Sequence, residues 1–255
     1  MREEAQAAVR AVEEATGVPV LVTDDPSLRT MATIKPAKKG APAHVVTYNP
    51  KFVDLADYLI AFQCGFALRL FLAPDTSRFE FGGTDQGRQT AGRLLDEHLK
   101  KSGLKLPPPT VTGLRDQFFD GLMLQLRSMP IGLRVDAWVR KEYPGLHEQQ
   151  DDSARRQLAE NQQVLSPQAK QIAPKIIYEA SVGMSAAFAA FWERMLSDPS
   201  VVVPYRVAGI LALGEKLLWL ANEIPDDAAH DKQLVEAWGD QIGVTGWFRL
   251  IPFEA

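Results

Sequence analysis

An α+β fold is predicted by three features of the sequence. Short β-branched runs cluster in the first fifty residues, longer segments of helical periodicity fill most of the remainder, and proline or glycine punctuates nearly every junction. A chain of 255 residues that is 46% hydrophobic and 24% charged can bury a substantial core. The expected architecture is a small mixed sheet packed on one buried helix, with a mostly helical C-terminal region.

The elements follow in order. Residues 2–16 read as an amphipathic helix stopped by Gly17 and Pro19, and Val18–Val22 as a short buried strand. Thr30–Ile34 alternates weakly and reads as a second strand, and Lys35–Pro42 as a turn. Ala43–Tyr48 alternates, is rich in β-branched residues, and ends at Asn49-Pro50, which makes it the third strand. From about Asp54 to Leu72 the apolar positions cover nearly the whole circumference of a helix, so that helix is expected to be buried. Phe79–Gly83 reads as a turn, Gln86–Ser102 as a helix, and Leu106-Pro-Pro-Pro109 as a rigid linker. Val111–Met129 and Leu133–Glu142 read as two helices separated at Met129-Pro130. Gln149–Gln163, in which eleven of fifteen residues are Asp, Glu, Arg, Gln or Asn, reads as an exposed helix or a linker. Gln168–Leu196, Tyr205–Ala221 and Asp231–Gly239 complete the set as helices. The expected organisation is a first domain over 1–148, a polar linker or exposed helix over 149–166, and a helical region over 167–255 packed on the first.

Charge and cysteine usage narrow the function classes. The 28 basic and 32 acidic residues give a net charge of −4, without the basic surplus of a nucleic-acid-binding face. The apolar stretches near Ile60–Leu72 and Ala208–Leu220 are interrupted by charged or amide side chains, so no membrane span is expected. One cysteine, Cys64, excludes an internal disulfide and fits a reducing, cytoplasmic setting. No G-x-S-x-G, Walker-type loop or dinucleotide fingerprint occurs.

The segment Asp57-Tyr-Leu-Ile-Ala-Phe62-Gln63-Cys64-Gly65-Phe66-Ala-Leu-Arg69 has the frame of a metallopeptidase active-site helix. In that frame two histidines four apart bind zinc and an intervening glutamate activates water. Here those positions hold Phe62, Gln63 and Phe66. The phrase Ala43-His44-Val-Val-Thr-Tyr48-Asn49-Pro50 lies just before it, and Met129-Pro-Ile-Gly-Leu-Arg134-Val-Asp136-Ala-Trp138, continued by Glu142-Tyr-Pro-Gly-Leu146, lies further on. Together these resemble the minimal zincin peptidases of the ImmA/IrrE-like kind, and the segments from Pro204 to Phe248 resemble helical extensions of some members. The resemblance implies a zincin-like fold in which Ala43–Tyr48 is the edge strand beside the substrate and Asp136 stands at the third, acidic zinc ligand.

Read residue by residue, the constellation lacks chemistry. Phe62 and Phe66 share one helical face and read as core that fills the former metal pocket. A carboxamide at Gln63 is no base near neutral pH and is expected to bond a backbone group. Cys64 reads as an inert buried thiol. Asp136 alone cannot hold zinc, and a salt bridge with Arg134, Arg140 or Arg69 is the expected role. His44, Tyr48 and Cys64 make up the candidate cleft, whereas His98, His147 and His230 read as surface residues. No metal and no cofactor are expected.

The expected function is therefore a catalytically inactive zincin-like protein that binds a protein or peptide partner along its strand edge. One alternative is an enzyme that uses the old cleft on a small molecule, with only Gln63, His44, Asp136, Glu80 and Asp85 to draw on. Another is a structural subunit of an oligomer, for which Trp192, Trp219, Trp238 and Trp247 could supply an interface.

Overall fold

The structure, a computed structural model, describes residues 1–254. Helix α1 (Glu3–Thr16) buries Ala5, Ala8, Val9 and Val12 on one face and ends at Gly17, whose φ of 70° lets its N–H close back on Glu13 O. Glu13 then accepts from the N–H of Val20 at 2.9 Å, which fixes the start of strand β1 (Val20–Asp24). Strands β2 (Ala32–Lys35) and β3 (His44–Tyr48) complete a three-stranded sheet of order β1-β3-β2. β1 runs parallel and β2 antiparallel to β3. The Ala43–Tyr48 strand is thus central, not the expected edge, and β2 is the edge on that side.

A 3-10 turn over Pro50–Leu55, started by Asn49 Oδ1 accepting from the Lys51 N–H, leads into α2 (Ala56–Leu72). By length and hydropathy the Pro50–Leu72 stretch is the one membrane-span candidate among the described residues. Its apolarity has another account here, since Tyr58, Leu59, Ile60, Ala61, Cys64, Ala67 and Leu68 are buried in the protein core. Residues Phe79–Gly83 are a strand, β4, and not the expected turn. After α3 (Asp85–Ser102) comes α4, a single helix over Pro108–Glu142. The expected break at Pro130 is absent: Met129, Ile131, Leu133 and Val135 on either side of it are all buried, and that packing outweighs the roughly 3 kcal/mol cost of an interior proline. Where α2 meets α4, Gly65 allows close approach, because a Cβ there would lie 2.5 Å from Val135 Cγ1.

The polar stretch read as an exposed helix or linker is α5 (His147–Gln162), with Gln149, Gln150, Ser153, Ala154 and Leu158 buried. Two glutamines go inside because they satisfy buried groups of α2 and α4. Next come α6 (Pro167–Ile172) and α7 (Lys175–Leu196), which part at Ala173-Pro174 where one helix was expected. Helices α8 (Val203–Val207) and α9 (Leu211–Glu223) part at Gly209, with φ of 74°. Helix α10 (Asp231–Gln241) precedes strand β5 (Phe248–Pro252), which pairs antiparallel with β4. Phe81 and Phe248 stack across that pair at 5.2 Å. A strand whose partner lies at the far end of the chain leaves no local hairpin signal, so the glycines of β4 suggested a turn.

One core runs through the protein from Ala8 to Trp247. Trp192, Trp238 and Trp247 belong to it, and only Trp219, 47% exposed, remains on the surface. The C-terminal half is tied to the first by Asp231, at the start of α10. Its carboxylate accepts from Arg69 Nε and Nη2, both at 2.7 Å, and from Arg134 Nη1 at 3.0 Å, with Arg134 and Asp231 almost wholly buried. Arg134 also donates to the Ile224 carbonyl at 2.7 Å. Asp231→Ala removes the buried carboxylate and leaves Arg134 only the exposed Asp226 at 3.6 Å as counter-charge, and urea unfolding is expected to show a loss of about 3 kcal/mol. A loss near zero would mean that the cluster opens to solvent.

Candidate functional site

Helix α2 sets out the site. Tyr58, Phe62 and Phe66 stand four residues apart on one face, with ring centroids 5.7 and 5.2 Å apart in tilted and edge-to-face contact. Their far side is α4, where a Cβ on Gly132 would lie 3.5 Å from Phe62 Cζ and 3.8 Å from Phe66 Cζ. One turn beyond Gly132 is Asp136. The Tyr58 hydroxyl donates to Asp136 Oδ1 at 2.7 Å, and Gln150 Nε2 donates to the same oxygen at 3.1 Å and to the Asp136 carbonyl at 2.9 Å. Gln149 Oε1 accepts from the Tyr58 N–H at 2.9 Å, so α5 satisfies a donor in the first turn of α2.

Asp136 is 3% exposed. Burial pushes its carboxyl up to about 7, a rise that the bonds from Tyr58 and Gln150 and the charge of Arg140 only partly oppose. The expected salt bridges do not form. Arg69 and Arg134 go to Asp231, and Arg140 pairs with Asp151. Those cations are held by other carboxylates, so Asp136 keeps neutral hydrogen-bond donors alone.

Tyr58, Phe62, Phe66 and Asp136 line a groove of about 1150 Å³, walled by β2, β4, α2, α4 and α5. Phe62 and Phe66, expected as core, are only half-buried: they pack against the core and, with Gln63, form the groove floor, with Tyr58 and Asp136 beside them. The wall formed by β2 is a free sheet edge. Asn49 N–H donates to Met31 O, which turns residues 31, 33 and 35 toward β3 and leaves the backbone groups of Ala32 and Ile34 pointing away from it. Gln63 Nε2 donates to the Ala32 carbonyl at 3.3 Å, the backbone role expected of it. Gln125 Oε1 on α4 and Asn161 Nδ2 on α5, both buried and without a hydrogen-bond partner, line the same groove.

Three residues proposed for the cleft lie elsewhere. His44 is buried on the central strand, where its Nδ1 accepts from the Ala37 N–H at 2.9 Å. Its proton is therefore on Nε2, which donates to Thr16 Oγ1 at 3.0 Å, and burial holds its pKa below the usual histidine range. Tyr48 sits at the end of β3, and its carbonyl accepts from the Asp25 N–H at 3.0 Å. Cys64 is enclosed in the core, and burial pushes its thiol up to about 12. None of the three lines the groove, although Ala43 and Val45 do: His44 turns to the core face of β3, and Cys64 to the buried face of α2.

A zinc ion does not fit the residues present. Phenyl rings stand where imidazoles would be needed, Asp136 is engaged by Tyr58 and Gln150, and no group of three His, Cys, Asp or Glu side chains able to hold a metal occurs among the described residues. No family model matches the chain, and no curated protein or solved structure matches it either.

The Asp136 carboxyl dictates a pH response. Its pKa rises from 3.8 in the unfolded chain to about 7 in the fold, so the folded state holds more protons between those values. Stability contributed at this residue is full below about pH 4 and is lost as pH rises through about 7. Asp136→Asn keeps an oxygen for Tyr58 and Gln150 but cannot ionise. Thermal and urea melts are expected to show the variant more stable than wild type at pH 8, by on the order of 4 kcal/mol, with the difference closing by pH 4. A pH-independent difference would mean that Asp136 does not titrate in this range.

Proposed function

We propose that the chain is a non-catalytic, zincin-like binding protein whose groove receives an extended peptide segment of a partner by strand addition to β2. The free edge of β2 along the groove wall carries this reading. Ile34 offers a backbone donor and acceptor and Ala32 a donor at strand spacing, the Ala32 carbonyl being held by Thr30 Oγ1 and Gln63 Nε2, and such bonds need no metal or general base. Gln63 Nε2, on the Ala32 carbonyl, sits where the N–H of an added strand would donate, and it would yield to that strand. The unpartnered Gln125 Oε1 and Asn161 Nδ2 are covered in the free protein, and rotation of either side chain would bring it to the segment's far side. Below, Phe62 and Phe66 give an apolar floor for the side chains that alternate toward it. Binding without cutting is supported by the side chains themselves. Gln63 is no base, Cys64 is an enclosed thiol, and the one titratable group on the floor, Asp136, is spanned by Tyr58 and Gln150.

Selection from a displayed library of linear peptides tests this directly. Ala32→Pro removes the N–H that faces the groove, at the first residue of an edge strand, where proline is tolerated. Segments selected on the wild type are expected to bind the variant at least about tenfold more weakly, the loss of one main-chain bond and its geometry. The circular dichroism melt should move by only a few degrees. Undiminished binding to a folded variant would exclude β2, and a library without binders would favour the structural-subunit reading.

A further inference from the structure

The groove is charged oppositely to the molecule that carries it. The chain has a net charge of −4, yet the groove is lined by six basic and four acidic side chains. Pairing sharpens the contrast. Lys38 is bound to Glu80, Arg69 to Asp231 and Asp226, and Arg78 to Asp75. Arg29, Lys35 and Arg127 remain, all exposed and with no ion pair among the described residues. On the acidic side only Glu160 and Asp136 are left, and burial holds Asp136 at about 7, so the floor carries less than a full negative charge at neutral pH.

The three free cations are placed around the open strand edge. Arg29 lies just before β2, Lys35 is its last residue, and Arg127 is on α4, which forms another wall of the groove. Side chains of β2 alternate between faces: Ile34 is buried toward the core, whereas Lys35 is exposed on the opposite face. A strand added to β2 continues that alternation, with one row of side chains over Phe62 and Phe66 and the other row level with Lys35.

Resting on the strand-addition reading, we propose that the partner segment is acidic and alternating. It presents apolar side chains to the Phe62–Phe66 floor and carboxylates, every second residue, to Arg29, Lys35 and Arg127. The apolar row supplies burial, and the carboxylate row supplies charge complementarity, which speeds encounter and fixes register. A basic segment meets three uncompensated cations and is rejected by the same charges.

The experiment takes the segment selected on the wild-type chain and prepares it in three versions, with Glu, Gln or Lys at every second position on one face. Isothermal titration is run at about 50 mM and about 500 mM salt. The Glu version is expected to bind about tenfold tighter than the Gln version at low salt, with the gap narrowing at high salt, and the Lys version to bind most weakly. The double charge reversal Lys35→Glu with Arg127→Glu is expected to invert the order of the Glu and Lys versions and leave the Gln version unchanged, which also reports that the groove is intact. Equal affinity of the Glu and Gln versions overturns the acidic partner while strand addition stands. Loss of all three versions with Ala32→Pro alone upholds strand addition, and failure of every version on the wild type overturns both.

Discussion

The carboxylate of Asp231 is the constraint on which the rest of the molecule depends. It sits at the first residue of α10 and takes the guanidinium groups of Arg69 from α2 and Arg134 from α4 into one buried cluster. Two cations on helices that already touch would repel in a low-dielectric interior, and the Asp231 carboxylate, with Asp226 at the exposed rim, converts that repulsion into a clamp. The clamp holds α2 against α4 at the close approach of Gly65, and the same pair of helices carries Phe62, Phe66 and Asp136 to the groove. The C-terminal region thereby fixes the geometry of a site to which it contributes little of the floor.

Once α2 and α4 are fixed, the groove follows from what each helix can satisfy. Tyr58 needs a partner for its hydroxyl and finds Asp136, and Asp136 in turn is met by Gln150 from the polar helix α5. The result is a floor of aromatic rings beside a carboxyl group kept close to neutrality by its own burial. Hydrogen bonds are spent on order within this floor, so the free backbone valences of the site are those of β2. On the proposed strand-addition reading, such a groove would engage main chain along its wall and apolar side chains on its base.

Much of the fold was legible because its signals are local. Gly17 and Pro19 end α1, alternation marks β3, and the all-round apolarity of α2 announces burial. By contrast β1, read as a buried strand over Val18–Val22, spans Val20–Asp24 and is largely exposed. The Phe62–Gln63–Phe66 face was legible too, since helical spacing alone puts those residues together. What was not legible depends on partners distant in sequence. Nothing in Ala43–Tyr48 says that strands pair on both of its sides or which face turns inward, so His44 and Tyr48 were assigned to a cleft that Ala43 and Val45 line instead. β4 needed β5, and Pro130 needed the packing of its neighbours to stay helical. Gln149 and Gln150 read as solvent-facing because a buried amide is recognisable only through the groups it satisfies.

Amide hydrogen exchange, read residue by residue with and without a saturating selected segment, tests the binding account most directly. The N–H groups of Ala32 and Ile34 point away from β3 and are expected to exchange readily in the free protein, whereas Thr33, bonded toward β3, is protected in both states. On binding, Ala32 and Ile34 are predicted to slow by at least about tenfold, the mark of new main-chain bonds on that edge. Unchanged exchange at both residues, with protection gained elsewhere, would contradict recognition along β2.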